Sequence, residues 1–508
     1  MLPSKNILLS LLFLLLPSSF ILTNAERPNV LFIAIDDLND WVGFMGGYPG
    51  KIHTPNLDRL AKRGTAFTNA HTASPVCCPS RAAVMTGQLP TTSGIYNNRH
   101  WWKPNLPEIV TIPVHFRENG YAAVGAGKIF HHPAGNNPPY QWDDFQRLDF
   151  HDDAFARTRR DLFPYAKDEP EPEGFPYSGI ELYSKEVDWA ALEKPESEFD
   201  DARTAQYGID FLKSHSGNKP FFLACGFFRP HMPWYFPKKY LDFYPLDSVA
   251  VPPDLPGDLD DVPEAGRELA LRKYVDMKKT RDAGKWRTAV QHYLCSISFM
   301  DAQVGKLLDA LDVSPFADNT VIVLWSDHGW HLGEKQHWHK RTLWEESTRV
   351  PLIVVAPGTG LENQTCTQPA SLVDLFPTLI ELCSLAPLTS QTLDGVNLAP
   401  WLKDPSRKRD LPAITVHELQ HISVRDERYR LIRYKDGSRE LYDTLDDPNE
   451  WDNLIGNPEY SSVARSLTSY IPTNLAQSAR SYTQFDFDPR TYRWSDKETG
   501  ATIDGRRK

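Results

Sequence analysis

The chain has 508 residues, 41% of them hydrophobic and 24% charged, a balance that provides ample material for a folded core. This length suits one large domain with a smaller one, and the composition argues against disorder on a large scale. The formal net charge of -11 argues against a nucleic-acid partner, because such partners need a basic surface, but a local cationic pocket for an anionic substrate stays possible.

The first 25 residues are typical of an export signal. Lys5 supplies a positive charge before the apolar run at 7–16, and small or polar residues at 23–25 precede a cleavage point ahead of Glu26. A membrane anchor is the alternative, but the run is shorter than the roughly 20 residues that a spanning helix needs. We expect a signal peptide at 1–25. The mature protein would then be secreted or periplasmic, or would lie in a lysosome-like compartment of a eukaryote. No membrane partner is expected.

Apolar runs alternate with helical patterns along most of the chain. Asn29–Ile35 is a continuous apolar, β-branched run, which is typical of a strand buried on both faces. Further strand candidates lie at 221–228, 320–325, 351–356 and 413–416, and helix candidates lie at 57–62, 204–214, 292–311 and 371–385. This alternation predicts an α/β fold with a mostly parallel sheet and helices on both faces.

Polar residues follow two of the predicted strands. Asp36-Asp37 comes directly after the first strand, and Asp327-His328 follows the strand at 320–325. If these strands are parallel neighbours, their polar residues emerge at one rim of the sheet, where the ligand sites of such folds lie. Three carboxylates and an imidazole gathered there would repel one another unless a cation lay between them.

The chain changes character after residue 420. Residues 423–425, 429–434 and 440–442 are typical of short antiparallel strands, with Asp436-Gly437 as a hairpin turn. We predict a large domain over 26–420 and a smaller C-terminal α+β domain with an antiparallel sheet over 421–508. Within the large domain, segments 138–201 and 252–286 are typical of long loops that either shape a pocket or are solvated.

Six cysteines are too few and too scattered for a disulfide scaffold. Cys366 and Cys383 could pair, or both could be buried thiols. Cys77-Cys78 needs a different explanation, because it opens the stretch Cys-Cys-Pro-Ser-Arg. Four further residues follow this stretch, and Thr86-Gly87 comes after them. This stretch resembles the C-x-P-S-R-x-x-x-x-T-G signature of the type I sulfatases. The alternative is a thiol in an ordinary turn.

The resemblance implies that Cys77 is oxidised to formylglycine by a formylglycine-generating or sulfatase-maturing enzyme. It extends over most of the chain and is closest to the iduronate-2-sulfatase branch. It also implies an alkaline-phosphatase-like fold with 26–420 as the catalytic domain. The segments that carry it, in family order, are Arg27-Pro28-Asn29-Val30 with Asp36-Asp37, Gly127-Lys128-Ile129-Phe130-His131, Pro230-His231-Met232-Pro233, Ser326-Asp327-His328-Gly329-Trp330 with Lys340, and Glu440-Leu441-Tyr442-Asp443.

The family pattern implies a metal site and a set of catalytic roles. The implied metal ligands are Asp36, Asp37, the oxidised Cys77, Asp327 and His328. Oxygen donors favour Ca²⁺, with Mg²⁺ as the alternative. His328 departs from that oxygen preference, since many sulfatases have Asn there, but the iduronate branch has His.

In the implied mechanism, a hydroxyl of the hydrated aldehyde at residue 77 attacks sulfur after losing its proton to Asp327. The remaining roles are to hold the sulfate, to protonate the leaving oxygen, to help expel sulfate and to orient the hydrate. Lys128, His231 and Lys340 are the sulfate-binding residues, His231 or Lys340 is the proton donor, His131 assists release, and Arg81 orients the hydrate. We favour His231 as the donor because its reference pKa is nearer neutrality.

The sugar is expected to meet residues 97–102, where the related branch places substrate contacts. Trp101 or Trp102 would stack on a sugar ring, and Arg99 or His100 would meet a uronate carboxylate or a second sulfate. One of the two tryptophans could instead belong to the core. The resemblance makes a 2-O-sulfated uronate such as iduronate 2-sulfate plausible, and a related glycosaminoglycan or algal oligosaccharide is equally compatible.

Other functions stay open at this stage. A phosphate or phosphonate ester hydrolase of the same superfamily is one, and an inactive glycan-binding protein is another. Residues 417–421 (HELQH) match the H-E-x-x-H zinc-protease pattern, which requires a helix, yet they follow a strand-like run and are predicted to form a loop between strands. His331, His337 and His339 are expected at the pocket edge or surface.

Overall fold

The structure is a computed structural model that describes residues 27–148, 173–182, 187–272 and 274–507. The predicted signal peptide and part of the predicted insertion at 138–201 lie outside these ranges. Within them, no helix has the length and apolar character needed to cross a bilayer. The six cysteines are buried free thiols, so Cys366 and Cys383 are not paired.

A nine-stranded sheet forms the centre of the molecule. It has the order β12-β2-β11-β8-β1-β6-β3-β4, with β13 also paired to β2. Every pair is parallel except the two that β11 makes with β2 and β8. The predicted, mostly parallel sheet is confirmed. The strands are β1 (Asn29–Ile35), β2 (Thr65–His71), β3 (Ala122–Gly127), β4 (Asp144–Gln146), β5 (Trp189–Leu192), β6 (Phe221–Phe227), β7 (Trp234–Pro237), β8 (Thr320–Ser326), β9 (His331–Leu332), β10 (Trp338–His339), β11 (Arg349–Val355), β12 (Gln364–Cys366), β13 (Ala370–Ser371), β14 (Ala413–His417), β15 (His421–Arg425), β16 (Tyr429–Arg433), β17 (Arg439–Asp443), β18 (Phe485–Asp488), β19 (Arg493–Asp496) and β20 (Thr502–Asp504).

Helices cover both faces of this sheet because β1 is apolar on both sides. Leu31, Ile33 and Ile35 pack in one core with helices α1 (Pro55–Ala61), α6 (Asp200–Ser214) and α9 (Trp286–Asp312). Val30 and Phe32 pack in a second core with helices α2 (Cys77–Thr86), α5 (Ile112–Glu118) and α11 (Leu375–Leu382). Successive strand residues point to opposite faces, so a run without polar residues requires a cover on each side. The helices are α1 (Pro55–Ala61), α2 (Cys77–Thr86), α3 (Pro90–Ser93), α4 (Trp102–Asn105), α5 (Ile112–Glu118), α6 (Asp200–Ser214), α7 (Glu264–Leu271), α8 (Tyr274–Asp282), α9 (Trp286–Asp312), α10 (Glu345–Thr348), α11 (Leu375–Leu382), α12 (Ala399–Lys403) and α13 (Ser461–Thr468).

The structure differs from the sequence-based expectation in the strands that each sheet contains. β2, β3 and the short strands β4, β12 and β13 belong to the central sheet but were not predicted. In β2 and β3, polar and small residues hide the apolar run that marks a buried strand. The run at 413–416 was grouped with the central strands, yet β14 pairs antiparallel to β15 in the C-terminal sheet. The predicted domain boundary at 420 therefore falls within a hairpin.

The C-terminal part contains two antiparallel sheets, β14-β15-β16-β17 and β18-β19-β20. The residues of the zinc-protease pattern occupy the turn of the β14–β15 hairpin, as the sequence predicted. His417 and His421 are cross-strand partners there, and Glu418 and Gln420 have φ of 51° and 78°. The helix that this pattern requires is not formed, which removes the zinc-protease reading.

A buried ionic cluster joins the C-terminal sheet to the loop after β10. The fully buried Arg430 donates to Leu343 O at 3.0 Å and to Glu345 Oε1 at 2.7 Å, and its Nε lies 2.6 Å from Glu450 Oε1. Arg425 Nε donates to the same Glu345 oxygen at 2.7 Å. Buried charges persist only where each has a partner, so these contacts hold the two parts in one relative position.

Replacing Arg430 by Met should destabilise the protein, because it leaves Glu345 and Glu450 buried with less compensating charge. We expect a loss of about 3–5 kcal/mol in the free energy of unfolding, measured by urea denaturation. The matched control is Arg439→Met, an exposed arginine on β17, whose unfolding midpoint should barely change. Equal midpoints for the two variants would contradict a stabilising role for this cluster.

Candidate active site

Two neighbouring strand ends bring the predicted acidic residues together. β1 and β8 are parallel, with Ile35 opposite Ser326, so the residues that follow each strand emerge side by side. Asp37 N donates to Asp327 Oδ1 at 3.1 Å. Asp36, Asp37, Asp327 and His328 are all 0% exposed. The sequence-based expectation of one shared rim agrees with this arrangement.

Cys77 lies at the centre of this rim, at the first residue of α2. Its Sγ is 3.2 Å from His328 Nε2 and 3.1 Å from Lys340 Nζ, and 4.0 Å from both Asp37 Oδ1 and Lys128 Nζ. In this unmodified chain, Sγ occupies the place that an oxygen on the same carbon would take after oxidation of Cys77. Groups from four separate chain segments therefore converge on one side-chain atom.

The other residues of the signature build the turn that presents Cys77. Ser80 Oγ donates to Asp327 O at 2.6 Å, which ties the first turn of α2 to the end of β8. Thr86 Oγ1 donates to Ala82 O at 2.7 Å near the other end. Gly87 then ends the helix with φ of 70°, a left-handed conformation that suits glycine. The spacing of the signature thus corresponds to one short helix.

Arg81 connects two of the three carboxylates. It is 0% exposed, its Nε donates to Asp327 Oδ2 at 2.8 Å, and its second terminal nitrogen donates to Asp36 Oδ1 at 3.2 Å. It also contacts Lys128 O. A planar guanidinium can satisfy two carboxylates at once, so Arg81 fixes Asp36 and Asp327 relative to each other.

Lys128 and His131 follow the end of β3 at a close approach of two strands. Gly127 is the register partner of Gly226 on β6, and a Cβ atom at Gly226 would lie 2.2 Å from the carbonyl carbon of Lys128. Glycine is therefore needed for Lys128 to reach the rim. The Lys128 ammonium contacts Asp36 and lies 4.8 Å from the ring centre of Phe228.

Lys340 and His231 enter from two other loops. Lys340 Nζ is 2.6 Å from Asp37 Oδ1, and His231 Nε2 is 3.8 Å from Asp37 Oδ2. Lys340 is flanked by His339 and Arg341, with φ of 125° and 86°. Positive φ is costly for residues of this size, and such strain is typical of functional loops.

The rim has the electrostatic character of a site for both a cation and an anion. Burial raises the pKa of Asp37 to about 7, and burial followed by repulsion from Asp327 raises the pKa of Asp36. Burial works against ionisation of Cys77 as well, but Lys128 and Lys340 together lower its pKa well below the ordinary value. Asp36 and Asp37 therefore have too little positive charge nearby to ionise easily, whereas residue 77 lies in a positive potential.

The donor set suits a hard divalent cation. Asp37 Oδ2 is buried and has no hydrogen-bond partner among the residues that the structure describes. The ligand atoms of Asp36, Cys77, Asp327 and His328 lie within 4.8 Å of one another, as do those of Asp36, Asp37, Cys77 and His231. Three carboxylates provide the oxygen-rich environment that Ca²⁺ and Mg²⁺ require.

The predicted sugar-binding residues separate into two groups. Arg99 and Trp101 line a pocket of about 200 Å³ above the rim, together with His131, His231 and Lys340. His100 and Trp102 do not reach it. His100 is 4% exposed and accepts from Tyr96 N at 3.1 Å.

Trp102 is 1% exposed and stacks on Phe130 at 5.6 Å, with its Nε1 donating to Asn136 O. Of the two tryptophans it is therefore the core residue, because its ring is enclosed by the second core. A direct substrate contact for His100 or Trp102 is not supported.

Sequence reasoning missed several pocket residues. His132, Arg341 and Tyr482 also line the pocket. Arg341 is next to Lys340, a neighbourhood that could have indicated it, whereas no pattern links Tyr482 to the site. Of the three histidines assigned to the pocket edge or surface, His339 lines the pocket, but His331 and His337 are 0% and 1% exposed and lie in the interior.

Comparison with known proteins gives two family matches. A family model described as Sulfatase matches residues 28–385, and one described as N-sulphoglucosamine sulphohydrolase, C-terminal, matches residues 333–477. The first covers more than half of the chain and includes every residue of the rim. The C-terminal sheets lie outside it.

Individual relatives agree with these matches. The chain is 35% identical to a Sulfatase of Formosa agariphila, covering 91% of this chain and 90% of the relative. It is 31% identical to Iduronate 2-sulfatase of Homo sapiens, covering 80% and 76%. The solved Phosphonate Monoester Hydrolase of Agrobacterium radiobacter superposes with a TM-score of 0.70 at 22% identity, covering 94% and 99%, which shows a common fold.

Metal binding provides a direct test of the rim. Titrating Ca²⁺ or Mg²⁺ into chelator-treated protein should raise the thermal midpoint, since an ion at 100 times its Kd stabilises by about 2.7 kcal/mol. Asp37→Asn should weaken binding at least about tenfold, because it removes a charged ligand. The control is Asp410→Asn, whose side chain is 87% exposed. Unchanged affinity in Asp37→Asn, or no stabilisation by either ion, would contradict the assignment.

Proposed function

The chain belongs to the sulfatase family and is a sulfate ester hydrolase, and we propose that it acts on a sulfated carbohydrate through a formylglycine made from Cys77. The observation that carries this proposal is the convergence on Cys77 Sγ. Two lysines, a histidine and an aspartate lie within 4.0 Å of that one atom. Such a centre is suited to an anion attached to residue 77.

We propose that Asp36, Asp37, Asp327 and His328 hold a divalent cation together with the oxygen of the oxidised residue 77. Ca²⁺ is preferred because it accepts many oxygen ligands in flexible geometry, and Mg²⁺ is the alternative. The cation would supply Lewis-acid polarisation next to residue 77. The unpartnered Oδ2 of Asp37 supports this assignment.

Oxidation of Cys77 is proposed because the reaction needs two oxygen atoms on one carbon. A hydrated aldehyde supplies one hydroxyl to attack sulfur and a second to expel sulfate, whereas a thiol has a single nucleophilic atom. The proposal therefore requires a formylglycine-generating or sulfatase-maturing enzyme as a partner. Asp327 is proposed to accept the proton of the attacking hydroxyl, and His131 is proposed to assist release of sulfate.

The group proposed to accept the proton of the attacking hydroxyl is an ionised carboxylate. Burial opposes ionisation of Asp327, but Arg81 and His328 keep its pKa below the ordinary value. Asp327 Oδ1 accepts from both Asp37 N and His328 N, so its position is fixed. Arg81 thus orients the group that accepts the proton rather than reacting itself.

Lys128 and Lys340 are proposed to supply positive charge to the sulfate, and His231 is proposed to bind the sulfate beside them. Each lysine ammonium lies against an aspartate and also within 4.0 Å of Cys77 Sγ, so each can turn from carboxylate to sulfate. His231 is proposed to protonate the leaving oxygen. Its pKa is lowered to about 3 by burial and then by the two lysines, whose charge a bound sulfate would offset.

The proposed substrate is a sulfated sugar residue, plausibly a 2-O-sulfated uronate. The relationship to an iduronate 2-sulfatase supports this class, as do Arg99 and Trp101 on the pocket wall. The predicted signal at 1–25 supports a secreted or periplasmic enzyme that acts on sulfated glycosaminoglycan or algal fragments outside the cell. The proposed catalytic unit is 26–420, completed by the C-terminal sheets.

Phosphonate monoester hydrolysis is the second candidate, because a hydrolase of that name shares the fold. A fold of this kind hosts several ester hydrolases, so chemistry has to be tested at the site. Parallel assays on an aryl sulfate and an aryl phosphonate should give a higher kcat/KM for the sulfate. A clear preference for the phosphonate would contradict the proposed substrate class.

Mass spectrometry of the peptide that contains residue 77 tests the nucleophile. We expect the mass loss that accompanies replacement of CH₂SH by an aldehyde, and we expect Cys77→Ala to abolish turnover. Cys78→Ala is the matched control, since Cys78 faces His100 O rather than the rim, and this variant should retain the aldehyde. A fully retained Cys77 thiol in active enzyme would overturn the mechanism.

Removing one sulfate-binding lysine should slow the reaction without unfolding the protein. Lys340→Ala should lower kcat/KM by about 10²–10³, because a positioned charge at developing negative charge is worth that much. Lys238→Ala is the control, since the Lys238 side chain is 59% exposed on the surface. An equal and small effect of both substitutions would exclude Lys340 from the chemistry.

A further inference from the structure

The end of the chain returns to the catalytic face after α13. Ala476 N donates to Thr91 O at 2.7 Å, and Ala479 N donates to Gly94 O at 2.9 Å. Ala476 lies at the end of the second family match, and residues 478–507 lie outside both matches. The backbone contacts therefore attach a segment outside the family pattern to the loop that precedes the pocket.

This attachment continues at the pocket edge. Tyr482 N donates to Arg99 O at 2.6 Å, and Ser481 forms an isolated antiparallel bridge with His100. Arg480 and Asn105 exchange two hydrogen bonds, of 2.8 and 3.0 Å. Main-chain pairing of this kind holds Arg99 and Tyr482 in a defined relation to each other.

The β18-β19-β20 sheet supports the same wall by aromatic packing. The ring of Trp101 lies 5.1 Å from that of Phe487, 6.3 Å from that of Trp494 and 5.8 Å from that of Tyr482. Trp494 is fully buried. Trp101 is 8% exposed and lines the pocket, so most of its ring anchors the terminal sheet while one edge faces the substrate space.

Two arginines border the pocket beyond the sulfate-binding groups. Arg99 lies on the wall attached to the terminal segment, and Arg341 follows Lys340. Arg99 is exposed, and no acidic side chain of the described ranges forms an ion pair with it. The φ of 86° at Arg341 fixes an uncommon backbone conformation beside Lys340.

We infer that Tyr482 of the terminal segment 478–507 completes a substrate-specificity wall with Trp101, Arg99 and Arg341, and that this wall selects a sugar residue bearing a second anionic group beside the scissile sulfate. Tyr482 and Trp101 form the wall against the sugar ring, and Arg99 and Arg341 bind the second anion. This inference rests on the proposed function. Aromatic faces suit the apolar side of a sugar, and the guanidinium fork suits both carboxylate and sulfate.

The pocket size agrees with one sugar residue. Its volume is about 200 Å³, below the roughly 300–1,000 Å³ typical of pockets for drug-sized ligands. This volume suits a sulfate, a sugar ring and a second anion that belong to the same residue.

The experiment compares three substrates that differ only at carbon 6. They are a hexuronate 2-sulfate, the corresponding neutral hexose 2-sulfate and the hexose 2,6-disulfate, and kcat/KM for sulfate release is measured for each. The full chain should prefer at least one acidic substrate over the neutral one by about tenfold or more, as one charge-assisted contact provides. The acidic substrate that is preferred distinguishes a carboxylate from a sulfate as the second anion.

Substitutions then assign the preference to this wall. Arg99→Gln and Arg341→Gln should each reduce the ratio of acidic to neutral kcat/KM by about fivefold or more. Tyr482→Ala removes a contact with the sugar ring, so it should lower kcat/KM for all three sugars by about fivefold or more. Arg439→Gln and Tyr470→Ala are the matched controls, since both residues lie outside the pocket, and they should keep the full ratio and the full kcat/KM. Thermal midpoints check folding, and Arg99→Gln at an exposed position carries the test if Tyr482→Ala unfolds.

The outcomes separate this inference from the proposed function. Unchanged ratios in both arginine variants, or a wild-type enzyme that hydrolyses the three sugars equally, would overturn the specificity wall while leaving the sulfatase mechanism intact. An unchanged kcat/KM of Tyr482→Ala for all three sugars would exclude the terminal segment from that wall. If the aldehyde-containing enzyme releases sulfate neither from an aryl sulfate nor from any of the sugars, the proposed function and this inference both fail.

Discussion

Repulsion among buried carboxylates is the constraint on which the rest of the structure depends. Asp36, Asp37 and Asp327 meet at the ends of two adjacent parallel strands with no access to water. Arg81 offsets part of this charge at Asp36 and Asp327. Lys128 and Lys340 offset a further part at Asp36 and Asp37. An arrangement so rich in buried charge is stable only when most groups have partners, which supports the proposal that this rim binds a cation and an anion together.

The surrounding elements serve this rim in successive layers. The apolar sheet and its two cores fix the strand ends, and the short helix α2 delivers Cys77 to the space between them. The ionic cluster around Arg430 holds the segment that carries Lys340 against the C-terminal sheet. The terminal segment then closes one side of the pocket. The proposed chemistry thus lies at the centre, and the inferred substrate selection lies at the edge of the pocket.

The shared fold of sulfatases and phosphonate hydrolases has a physical explanation. Sulfate and phosphonate esters both develop dispersed negative charge during transfer, so the same set of lysines, histidines and a metal can stabilise either. The two classes of ester differ in the atom that is transferred, sulfur or phosphorus, and in the substituents on that atom. Fold similarity at 22% identity therefore indicates the type of chemistry less well than Cys77 and its surroundings do.

The sequence by itself determined the buried strands, the Cys77 signature and the strand ends that carry the aspartates, because apolar runs and fixed spacings are local properties. It did not reveal β2 and β3, whose small and polar residues depend on their neighbours for burial. Only tertiary structure decided that Trp101 lines the pocket while Trp102 is core, and that Tyr482 reaches it. These outcomes depend on contacts between distant segments, which no local pattern encodes.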